Sequence, residues 1–90
     1  MSDDVPTDVQ TVLCQLFGAG REALEAGKIE RCERIVDNAG AVATNKLPEG
    51  ERRSRILHGC ERVRALLGEE ELAVADEYLV AMDRRICRDQ

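Results

Sequence analysis

Four blocks of apolar residues, each recurring at spacings of three and four and separated by very short breaks, constrain this chain more than any other feature. The first block runs through Val9, Val12, Leu13, Leu16, Phe17, Gly20, Ala23 and Leu24 and ends at Gly27. The second carries Ile29, Cys32, Val36, Ala39, Ala43 and Leu47, with Ile35 and Val42 as a shoulder. Leu47-Pro48-Glu49-Gly50 breaks the pattern, because Pro48 excludes the α conformation from the residue before it. Ile56, Leu57, Cys60, Val63, Leu66 and Leu67 form the third block, then Gly68; Leu72, Ala75, Leu79, Met82 and Ile86 form the fourth. Each spacing is that of one face of an amphipathic helix.

Four helices of similar length joined by short turns predict an all-α fold, an antiparallel four-helix bundle. The alternative is two stacked helical hairpins of tetratricopeptide type, hinted at by Ala23-Leu24-Glu25-Ala26-Gly27 against Ala65-Leu66-Leu67-Gly68. That family's aromatic and proline pattern is missing here. The expected helices cover about Val5 to Ala26, Ile29 to Lys46 and Glu49 to Leu67, with a fourth opened by Glu69-Glu70-Glu71. Asp4 is the expected N-cap of the first, and Gly27 and Gly68 are the expected stops. Gly20 lies on the apolar stripe, where its missing side chain admits a neighbouring helix. Leu13, Leu16, Phe17, Val36, Cys60, Val63, Leu79 and Met82 are the expected core.

Ninety residues make a single domain, residues 1–90, and Phe17 and Tyr78 are its only aromatic side chains. A core of aliphatics suits helix-on-helix packing better than a sheet. The net charge of −5 speaks against general nucleic-acid binding, and no apolar run is long enough to span a membrane. No basic, then apolar, leader precedes the first helix, which places the expected location in the cytoplasm. Only Lys28 and Lys46 among the 13 basic residues are lysines, a bias that, with the acidic balance, looks like salt-adapted, halophilic proteins.

The four cysteines fall in four different helices, with no pair at the two-to-four residue spacing of structural zinc sites. They read as reduced core and boundary residues, with no metal and no cofactor expected. In an antiparallel bundle Cys14 approaches Cys87, and Cys32 approaches Cys60, but the sequence decides neither pairing. A thiol-based redox sensor using Cys14 or Cys87 is therefore one reading. No catalytic constellation surrounds His58, so neither an enzyme nor a small-molecule substrate is expected.

Two surfaces invite a partner. Arg55, His58 and Arg62 share one side of the third helix, a candidate anion-binding face. Against it, Glu49–Arg53 and Glu51–Arg55 are spaced as helical ion pairs that satisfy two of the arginines locally. On the fourth helix Val74, Tyr78 and Ala81 add a second apolar side beyond the main stripe, a candidate partner-binding surface. The favoured reading is a cytosolic, non-enzymatic protein–protein interaction module that self-associates, as a homodimer, through this helix. Nucleic-acid association through the third helix is the alternative.

The runs Thr44-Asn45-Lys46-Leu47-Pro48-Glu49-Gly50-Glu51 and Ile56-Leu57-His58-Gly59-Cys60-Glu61-Arg62-Val63 resemble a small all-helical protein family of haloarchaea with no assigned function. The resemblance implies an all-α fold and transfers no site.

Overall fold

The computed structural model describes residues 6–87. It contains α1 (Thr7–Glu25), α2 (Ile29–Lys46), α3 (Glu51–Gly68) and α4 (Leu72–Cys87), with no strand among the described residues. Each helix packs against two others, in the cycle α1–α2–α3–α4–α1. That closure of α4 onto α1 makes the molecule a four-helix bundle rather than an open stack of hairpins. Its extents are 38 × 20 × 18 Å.

The predicted stripes converge on one core. Leu13, Phe17, Val36, Cys60, Val63, Leu79 and Met82 are all buried, and no polar or charged side chain is buried among the described residues. Two expectations are corrected at α1: Leu16 is only partly buried, and Val12 is 40% exposed. The stripe drawn from spacing is wider than the face that two neighbouring helices can cover. Gly20 does admit its neighbours: a Cβ there would lie 3.6 Å from Ile35 of α2 and 3.9 Å from Leu79 of α4.

The turns are less as expected. Gly27 adopts φ +77°, with Lys28 N–H donating to Ala23 O and Gly27 N–H to Leu24 O, which is the Schellman stop. The α3–α4 turn repeats this hydrogen-bond pair, from Glu71 N–H to Leu66 O and from Glu70 N–H to Leu67 O. There the left-handed residue is Glu70, with φ 62°, and not Gly68, which is the last residue of α3. The Glu69–Glu71 run therefore precedes α4 instead of forming its first turn. Glu49 likewise precedes α3, so Glu49–Arg53 is not a pair within that helix, whereas Glu51–Arg55 is an ion pair as expected. Asp4 and Val5, expected at the start of the first helix, lie outside the described residues.

Candidate interaction surface and thiol cluster

The neighbouring helices α3 and α4 are drawn together at Gly59. A Cβ on this residue would stand 2.5 Å from Met82 Sδ, so the Met82 side chain of α4 lies against the bare face of the glycine and would have to move for any larger residue. Beside that crossing a groove of about 460 Å³ opens to solvent. Gly59, Tyr78, Ala81 and Met82 line it together with Arg55, His58 and Arg85. One end continues into a basic recess formed by Glu51, Arg52, Arg55 and Arg85.

The two surfaces expected separately thus meet in one place. Tyr78 and Ala81 of the apolar set, and Arg55 and His58 of the basic set, share the groove, while Val74 and Arg62 lie outside its lining. Val74 is nonetheless 39% exposed and stands one helical turn before Tyr78 on the same side of α4. Tyr78 is half-buried and packs on the core, leaving part of its ring to the groove. Sequence periodicity assigns each side chain to a face of its own helix, but it does not say which two faces adjoin. Gly59 was the readable clue, as a glycine inside an apolar helical stripe.

At the end of the bundle where α1 begins and α4 ends, Cys14 and Cys87 form a disulfide, with a Cα–Cα distance of 5.7 Å. This corrects the expectation that all four cysteines are reduced; antiparallel closure brings the first and last helices within bridging reach. Asp83, one turn before Cys87, places Oδ1 2.8 Å from the Cys87 sulfur. Nearby, Gln10 Nε2 donates to the Ile86 carbonyl at 2.6 Å, a second link between α1 and α4.

Cys32 and Cys60 are free and buried. Burial, then the charges of Asp76 and Glu33, push the Cys32 thiol above its ordinary range. Burial and then Asp37 push the Cys60 thiol up to about 11, with Arg64 pulling in the opposite direction. Both stay protonated at neutral pH and behave as small apolar core residues.

The fold and the surface define a small closed helical bundle with an amphipathic groove between α3 and α4. The chain belongs to the family described as a domain of unknown function, DUF8101, whose model matches residues 1–88. No curated protein and no solved structure matches it.

Proposed function

We propose that the protein is a non-enzymatic interaction module that pairs with a second copy of itself through α4 and the α3–α4 groove. The observation that carries this reading is the order of residues along the open side of α4. Glu70 and Glu71 stand in the turn just before α4, Val74, Tyr78 and Ala81 in its middle, and Arg84 and Arg85 at its end.

Such a stripe is complementary to itself when two copies run antiparallel across a two-fold axis. With the axis between Glu77 and Tyr78, Val74 of one copy meets Ala81 of the other over the groove. Glu70 then faces Arg85, and Glu71 faces Arg84, twice each. All four of these charged residues are exposed. The apolar centre supplies burial, and the charged ends fix orientation and register. Ala81 leaves room for the incoming helix, and the hydroxyl of Tyr78 tolerates a wet rim.

The apolar floor of the groove favours a protein surface over a phosphate backbone, and so does the net charge of −5. The resemblance to a haloarchaeal family and the excess of arginine over lysine support a salt-adapted, cytoplasmic setting. No helix among the described residues is long and apolar enough to cross a membrane.

Light scattering on the wild type and Tyr78→Glu tests the reading. The expected result is a dimer mass for the wild type and a monomer mass for the variant, with helical circular dichroism unchanged. A wild-type monomer that binds mixed-sequence DNA or RNA, with an affinity falling as salt rises and lost in an Arg55→Ala, Arg62→Ala variant, would instead make the basic face the functional one.

A further inference from the structure

Two observations at the Cys14–Cys87 bridge point beyond a structural crosslink. The first is convergence: the sulfurs of Cys14 and Cys87 and a carboxylate oxygen of Asp83 all lie within 4.8 Å of one another, and all three residues are partly buried. The second is chemical. A disulfide sulfur carries no proton, so a carboxylate 2.8 Å from it has nothing there to accept. Opening the disulfide gives that oxygen either a thiol proton or, beside a thiolate, a like charge. A cation between the groups removes the conflict.

We propose that Cys14, Asp83 and Cys87 form a redox-gated site for a thiophilic divalent cation, with Zn²⁺ the best match. Two thiolates and a carboxylate are zinc ligands of ordinary type, and three protein ligands leave the fourth tetrahedral position to water. Asp83 and Cys87 stand one turn apart on one side of α4, and Cys14 comes from α1, so the ion crosslinks the same helices as the disulfide. The spacing rule that argues against zinc in the sequence fails here because the two cysteines are 73 residues apart and meet only through closure of the bundle.

The gate is a two-electron step. A dithiol reductant breaks the Cys14–Cys87 bond and becomes a disulfide itself, and its two protons and two electrons leave Cys14 and Cys87 as thiols. Binding of the cation then releases both thiol protons to solvent. The protein thus exchanges one crosslink for another as the redox poise changes.

The test uses the full chain stripped of metal, reduced with a phosphine and titrated with Co²⁺ and then Zn²⁺. The reduced wild type is expected to take up one Co²⁺ per chain, with thiolate-to-cobalt charge transfer and tetrahedral d–d bands that Zn²⁺ abolishes. Oxidised protein and Cys14→Ser should give no such bands. Losing even an outer-shell partner costs about 10–100-fold in metal affinity, so Asp83→Asn, which keeps both cysteines, should bind at least about tenfold more weakly when reduced in the same way. Cys32→Ser with Cys60→Ser, shown folded by circular dichroism, should bind like the wild type. Absence of the bands in reduced wild type, their persistence in Cys14→Ser, or affinity unchanged in Asp83→Asn overturns the proposal.

Discussion

Gly59 of α3 and Met82 of α4 meet so closely that a methyl group on the glycine would press on the methionine sulfur at 2.5 Å. Gly18, also inside a helix, has nothing within 4 Å of such a methyl. The same substitution should therefore act in opposite directions. Gly18→Ala is expected to stabilise by about 0.5–1 kcal/mol, the ordinary helix gain. Gly59→Ala is expected to cost about 1–2 kcal/mol net, as Met82 is displaced from the core. Urea titration measures both, and a gain at residue 59 equal to that at residue 18 would contradict the close crossing.

Glu70 holds a left-handed conformation that an L side chain enters at a cost of about 1–2 kcal/mol. Glu70→Gly should relieve most of this and stabilise the monomer by about 1 kcal/mol. The measurement is the urea midpoint at concentrations low enough to exclude association. A destabilised variant would mean that the Glu70 side chain contributes more to the turn than its backbone strain removes.

The Cys14–Cys87 bridge ties residues separated by 73 positions. A loop of this length restricts the unfolded chain strongly, and such crosslinks are typically worth about 2–4 kcal/mol. Phosphine reduction of metal-free protein should lower the unfolding free energy by that amount while leaving the helical signal intact, because the remaining core is unaltered. Equal urea midpoints with and without reductant would show that the bridge adds nothing.

Cys60 makes stability depend on pH in the alkaline range. Its folded-state pKa is raised from 9.0 to about 11, first by burial and second by Asp37. The raised value favours the neutral thiol in the folded state, so its contribution is complete below the unfolded pKa. It is lost as pH rises from 9.0 toward about 11. The wild type should lose more stability across that window than Cys60→Ala. Parallel losses would remove Cys60 from the account.

The legibility of this fold has a physical boundary. The limits of α2, the buried faces around Phe17, Val36 and Leu79, and the left-handed stop at Gly27 could all be read, because each depends on residues within a turn or two. The same reasoning chose Gly68 over Glu70 as the second left-handed residue. Glycine is favoured there intrinsically, but the position is set by where the Leu66 and Leu67 carbonyls find their donors. The approach of Cys14 to Cys87 followed from antiparallel closure, but the bond between them and the make-up of the groove were out of reach for a different cause. They depend on which helix faces which, and periodicity within a helix carries no such information. Val74, Tyr78 and Ala81 were recognisable as surplus apolar residues, but the placement of Tyr78 beside His58 and Arg85 required the packing of α3 on α4.

Self-pairing of α4 is tested most directly by a charge-reversal cycle followed by sedimentation equilibrium. Glu71→Arg and Arg84→Glu each turn two facing ion pairs of the antiparallel dimer into repulsions, and each should weaken association about tenfold, equivalent to about 1.4 kcal/mol. The double variant restores opposite charges across the axis and should return to within about threefold of the wild type. A wild-type chain that sediments as a monomer at every concentration, or a double variant no better than either single one, would contradict the pairing.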